Sequence, residues 1–181
     1  VESAWLLERN NIPAPVLIDS VNPVERDGET VVQKGILADH NEVAQAAPGI
    51  ENAEVVEIID HHRIADVTTA NPILFLNLPI GSTATIVTLQ FRQTGIDLPD
   101  SIAQMLLSAI LTDTVIMKSP TCTQVDIDQV KFLADKLGLD AVEFGMEIFR
   151  TRGGEDKMPI AKLVEADSKE FKVNDDVTVL I

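Results

Sequence analysis

Apolar positions along this chain recur in two rhythms. Between residues 31 and 78 they come in short, β-branched runs: Val31-Val32, Gly35-Ile36-Leu37-Ala38, Val55-Val56-Glu57-Ile58-Ile59 and Ile73 to Leu78. Runs of this kind predict buried strands of a parallel sheet, because a strand covered on both faces loses its polar alternation. The first strand ends at Asp39 and the second at Asp60. From about residue 81 the apolar positions recur every three to four residues, which predicts helices. Gly81-Ser82-Thr83 opens a helix through about Thr94, with Gly95 as its stop. Pro99 to Leu111 forms the next, apolar at Ile102, Met105, Leu106, Ala109 and Ile110. Thr123 followed by Asp126 marks a helix start, and that helix runs to Gly138. Asp140 caps another, from Ala141 to about Arg150. At the front, Glu2 to Asn10 reads as a short helix ended by Pro13 and Pro15. Asn22 to Gly28 reads as a polar turn region, and Ala44 to Gly49 as loop or a short helical turn.

Strands alternating with helices predict an α/β fold, a mainly parallel sheet flanked by helices, over residues 1–150. Residues 151–158 hold Gly153-Gly154 and several charges, and read as a linker. Residues 159–181 then predict the start of a second, smaller α/β domain. It would hold a short helix, a strand near Glu170 to Val173, a turn at Asn174-Asp175-Asp176 and a last strand. That strand, Val177 to Ile181, looks cut in the middle, and Val1 runs straight into a helix, so a piece of a longer protein is expected.

Composition narrows the function. Of 181 residues 45% are hydrophobic, enough for a packed core, with no apolar run of membrane-spanning length. There is no charged-then-apolar leader, and the single cysteine, Cys122, fits a reducing compartment. Fourteen basic against 29 acidic residues give a net charge of −15. A surface this acidic repels nucleic acid and anionic membranes. An anionic substrate would need bound cations or a small basic cluster to bring it in.

The three histidines are the sharpest signal. His40, His61 and His62 all follow a strand-terminal aspartate, in Asp39-His40-Asn41-Glu42 and Asp60-His61-His62-Arg63. One such pair suits an ordinary strand-end loop. Two at equivalent positions, using every histidine, point to a metal or acid–base site. Imidazole with carboxylate suits Mn²⁺, Co²⁺ or Fe²⁺ better than a closed zinc site. Successive side chains on an extended chain diverge, so His61 and His62 are expected to play different parts, one as ligand and one toward substrate. Asp113 follows an apolar helix in Leu111-Thr112-Asp113-Thr114, where negative charge is disfavoured; it reads as a site residue or as an exposed turn residue. Lys118-Ser119-Pro120-Thr121-Cys122-Thr123 and Gly81-Ser82-Thr83 read as anion contacts or as plain helix caps.

Taken in order, these motifs resemble a known family. Asp60-His61-His62-Arg63 resembles the signature of the DHH phosphoesterase superfamily. With Asp39-His40-Asn41-Glu42, Gly81-Ser82-Thr83-Ala84-Thr85, Thr112-Asp113-Thr114, Lys118-Ser119-Pro120-Thr121 and Asp167-Ser168-Lys169-Glu170-Phe171, the chain resembles the family II, manganese-dependent inorganic pyrophosphatases. The resemblance implies hydrolysis of pyrophosphate to two phosphates by a metal-activated hydroxide at a site of two or more Mn²⁺ ions, with Co²⁺ or Mg²⁺ as substitutes. It implies metal ligation by Asp39, His61 and Asp113, substrate contact by His62, and a phosphate contact by Lys169 from the second domain. His40, Asp60, Arg63 and Lys118 would support these. It also implies a cytoplasmic homodimer that binds neither nucleic acid nor membrane. The family's N-terminal His-x-Asn-Pro-Asp-x-Asp segment and its C-terminal Ser-Arg-Lys segment are not in this sequence. The rival readings are an exopolyphosphatase or other DHH phosphodiesterase, and a non-catalytic module that binds an anion or nucleotide.

Overall fold

The computed structural model of the chain describes residues 2–151, 170–172 and 178–180. Helix α1 (Glu2–Arg9) leads to a small hairpin, β1 (Val24–Arg26) and β2 (Glu29–Val31). Three strands follow: β3 (Lys34–Ala38), β4 (Glu54–Asp60) and β5 (Leu74–Asn77). Then come four helices: α2 (Thr83–Thr94), α3 (Asp100–Asp113), α4 (Gln124–Leu137) and α5 (Ala141–Thr151). Strands β6 (Glu170–Lys172) and β7 (Thr178–Leu180) form an antiparallel pair.

Strands β3, β4 and β5 make one parallel sheet in that order. Leu37 sits beside Ile58, Ile58 beside Phe75, and Asp60 beside Asn77, so all three carboxyl ends share one edge. Leu37, Ile50, Val55 and Ile58 form the buried cluster of this layer. The helices carry the larger core, in which Leu107, Ile110 and Leu111 of α3 and Leu133 of α4 are fully enclosed. Each such side chain stabilises the fold by roughly 1.5–3 kcal/mol relative to exposure. Helix α1 joins through Arg9, which pairs with Glu147 at 2.8 Å and lies over the rings of Trp5 and Phe144.

The helix ends follow the sequence signals. Ser82 caps α2 and Gly95 ends it at φ 67°. Thr123 and Asp126 form a reciprocal capping box on α4. The region from Asn22 to Gly28 departs from the expected turn. It contains the first strand of the hairpin, and Val31 belongs to that hairpin, not to the sheet strand. Asp27-Gly28, at φ 54° and 81°, is a two-residue connection whose twist suits paired strands, and the three-residue strands are too short to show alternation. Strand β3 is also less covered than a buried strand should be, with Ile36 60% exposed.

No helix among the described residues is long and apolar enough to cross a membrane. Lys169, the linker after Thr151, the short helix beyond it and the Asn174-Asp175-Asp176 turn lie outside the described residues.

Candidate metal centre

Ligands in open α/β sheets collect beyond the carboxyl ends of the strands, and both Asp-His motifs stand there. Asp39 directly follows β3. Its backbone N–H still donates to Ile59 O at 2.9 Å, but its φ is 68°, a conformation that aspartate tolerates better than most residues. Its carboxylate is 58% exposed.

Asp60 behaves differently. It is fully buried at the end of β4 and accepts from the N–H groups of His61 (2.7 Å) and His62 (3.1 Å), from His62 Nδ1 (2.8 Å) and from Asn41 Nδ2. Burial pushes its carboxyl up, but the hydrogen bonds from Asn41, His62 and His61 outweigh that and hold it below the ordinary value. With its oxygens so engaged, Asp60 organises the loop. Asn41, itself buried, ties the two motifs together by donating also to Arg63 O at 3.0 Å and accepting from Ala65 N.

His61 Nδ1 lies 2.9 Å from Ile80 O, and a carbonyl oxygen can only accept, so Nδ1 carries the proton. The remaining ring nitrogen, Nε2, points toward Asp39 Oδ1, 3.5 Å away. His62 donates through Nδ1 to Asp60 and leaves its own Nε2 free. The two rings do not diverge as an extended chain would require. They meet edge to face, centroids 4.2 Å apart, because both residues lie past the end of β4, where strand alternation no longer applies. Ligand atoms of Asp39, His61 and His62 fall within 4.8 Å of one another.

Asp113 is the last residue of α3 and accepts from Ser82 Oγ at 2.6 Å. Surrounding protein raises its carboxyl above the ordinary value, and the Asp39 charge adds to this, against the opposing pull of Ser82, His61 and His62. Asp113 is otherwise exposed and lies outside the cluster of Asp39, His61 and His62. After it the chain makes an uncommon left-handed turn, with φ of 49°, 53° and 61° at Val115, Ile116 and Met117, before Lys118. Lys118 is exposed. His40 bonds Ala38 O through Nδ1, and its Nε2 is buried without a partner. Arg63 pairs with Glu42 at 3.2 Å. His40, Asn41, Glu42, Gln45, His62 and Arg63 line a cleft of about 280 Å³.

A divalent ion fits this donor set. A carboxylate oxygen and an imidazole nitrogen 3.5 Å apart, with the other ring nitrogen held by a carbonyl, have the spacing of two ligands on one cation. Two supports were legible in other parts: Ser82 as an anion contact or a helix cap, not as a partner of Asp113, and Asp126 only as a helix start, although its carboxylate is fully buried.

The chain is similar to proteins of known families. A protein of Archaeoglobus fulgidus assigned as a manganese-dependent inorganic pyrophosphatase is 42% identical over 174 residues, which cover 96% of this chain and 51% of that one. One from an Exiguobacterium species with the same assignment is 39% identical over 174 residues, covering 96% and 54%. A Methanococcus jannaschii crystal structure assigned to the family II inorganic pyrophosphatases matches with a TM-score of 0.77 at 34% identity, over 96% of this chain and 57% of that one. The chain spans about half the length of the curated relatives it matches. The family model described as the DHH family, N-terminal domain, covers residues 4–110, and the chain belongs to the DHH family.

Proposed function

We propose that the protein of which this chain forms part hydrolyses inorganic pyrophosphate with manganese. The observation that carries this reading is His61 Nε2 set against the Asp39 carboxylate, with Nδ1 engaged by Ile80 O, in a chain whose relatives bear that assignment. Asp39, His61 and Asp113 would hold the metal. Manganese supplies Lewis acidity there, neutralising phosphate charge and acidifying a water.

The chain's own residues do the rest. Asp39 brings a largely exposed carboxylate to the centre. Ile80 O fixes the His61 tautomer, so that Nε2 and not Nδ1 faces the ion. His62 is 52% exposed against 15% for His61, and so is the ring that meets substrate. Its Nδ1–H is held by buried Asp60, which keeps Nε2 aimed outward and stabilises the ring when that nitrogen takes a proton. Arg63 and His40 line the adjoining cleft, Lys118 would add positive charge, and Lys169 would reach a phosphate from the second domain. That assignment keeps residues 1–150 as the catalytic domain, 151–158 as linker and 159–181 as the start of a substrate-binding domain. A cytoplasmic homodimer that binds neither nucleic acid nor membrane completes the reading, in keeping with the net charge of −15 and the single cysteine.

The test is phosphate release from pyrophosphate by the full-length protein, with Mn²⁺ and after chelation. Manganese-dependent turnover that Asp39→Ala abolishes is expected. Equal or faster release from long polyphosphate would favour the exopolyphosphatase instead.

A further inference from the structure

Three residues between β5 and α2 hold two of the proposed ligands at once. Ile80 O accepts from His61 Nδ1 at 2.9 Å, and Ser82 Oγ donates to Asp113 Oδ2 at 2.6 Å. The residue between them, Gly81, donates its N–H to Asp126 Oδ2 at 2.9 Å. Asp126 is fully buried, 45 residues further along the chain, and touches neither ligand. Its carboxylate also accepts from Thr85 Oγ1 at 2.6 Å, Thr123 N at 2.8 Å and Thr123 Oγ1 at 2.7 Å. Four donors on two oxygens fix that carboxylate, and through Gly81 they fix the turn. The contact is close: a Cβ on Gly81 would stand 2.7 Å from Thr114 Cγ2 and 2.9 Å from Asp126 Oδ2. A helix cap alone would need only the Thr123 bonds.

The geometry points to Asp126 as a positioning residue: by pinning the Ile80–Gly81–Ser82 turn to the start of α4, it sets where His61 and Asp113 stand, and so sets the affinity of the site for a divalent cation. This rests on the metal reading given above. Outer partners of metal ligands typically govern affinity by about 10–100-fold. Here one buried carboxylate reaches both ligands through one turn, so a single change should move both.

The experiment is Mn²⁺ titration of the full-length protein, followed by the paramagnetic resonance signal of free Mn²⁺, with no substrate present. Asp126→Asn keeps the shape but removes acceptor capacity, and Gly81→Ala pushes the turn away from the Asp126 carboxylate. Each is expected to weaken Mn²⁺ binding about 10–100-fold. Leu133→Val, in the core of the same helix, should lower the melting temperature and leave Mn²⁺ affinity unchanged. Wild-type affinity in either turn variant overturns the proposal, and so does an equal loss in Leu133→Val. Should Asp126→Asn fail to fold, Gly81→Ala decides alone. Asp39→Ala separates the two levels. If it too binds Mn²⁺ normally, the metal reading itself fails; if it loses Mn²⁺ while Asp126→Asn does not, only the role of Asp126 falls.

Discussion

His61 Nε2 and Asp39 Oδ1 stand 3.5 Å apart, while the other nitrogen of the ring, Nδ1, donates to Ile80 O. The two groups come from neighbouring parallel strands, so the sheet's register fixes their separation: Ala38 pairs with Ile59, and each chain then runs on past the strand end. Asp113, at the end of α3, lies near enough to feel the Asp39 charge. Two carboxylates and an imidazole nitrogen brought near one rim make a centre that a cation would complete.

Metal should therefore stabilise the fold. For the full-length protein, Mn²⁺ at about 100 times its dissociation constant should add about 2.7 kcal/mol of stability. Asp39→Asn should remove that gain while leaving the metal-free protein at least as stable as wild type, because it relieves repulsion with Asp113. Calorimetric melting with and without chelator measures both. A metal-free Asp39→Asn variant that melts well below wild type would contradict the account.

Acid should act through Asp126. Burial raises its carboxyl, but the hydrogen bonds from Thr85, Thr123 and Gly81 win, and its folded pKa lies below the ordinary 3.8. A depressed pKa contributes stability that is present above the unfolded value and lost as pH falls through the folded one. Wild type should thus lose stability as pH drops below about 4, the reference carboxylate range. Asp126→Asn should lower stability at neutral pH and flatten that acid limb. Denaturant melts at several pH values read the slope directly, and an unchanged acid limb in the variant would remove this role.

The left-handed turn after Asp113 also makes a prediction. Val115 is β-branched, half exposed and at φ 49°. Left-handed backbone disfavours such a residue by about 1–2 kcal/mol, whereas asparagine tolerates it. Val115→Asn should raise stability by about 1 kcal/mol. A fall in melting temperature would mean that the Val115 side chain contributes packing that its exposure does not suggest.

How much of this was written in the sequence depends on the length of each signal. The long periodic helices and the run Val55 to Ile59 announce themselves, and the strand-terminal aspartates followed by histidine mark the rim without coordinates. The hairpin does not, because three-residue strands carry no readable alternation. The bracket formed by Asp126, Gly81 and Ser82 does not either. Its members lie 45 residues apart, and a buried carboxylate at the third position of a helix looks, in one dimension, like any capping box. The divergence of His61 and His62 failed for a related reason: alternation belongs to strands, and the strand stops at Asp60.

The adjacent histidines remain separable by exposure and by partner, even though their rings touch. His61 is held on one side by Ile80 O and turns Nε2 to Asp39; losing it removes a ligand. His62 is held by Asp60 and faces outward; losing it frees the buried Asp60 carboxylate from one of its donors but leaves the Asp39–His61 pair in place. In the full-length protein, His61→Ala should mainly weaken Mn²⁺ binding. His62→Ala should largely keep Mn²⁺ and lower the rate of pyrophosphate hydrolysis by about 10²–10⁴-fold, the usual effect of removing a proton-transfer group. Because His62 Nδ1 also supports Asp60, His62→Asn gives a second reading with a shorter polar side chain in its place. Metal titration and steady-state kinetics on the three variants check the division. Equal loss of Mn²⁺ in His61→Ala and His62→Ala would make both rings ligands of one ion, as the 4.8 Å clustering of their nitrogens with Asp39 permits.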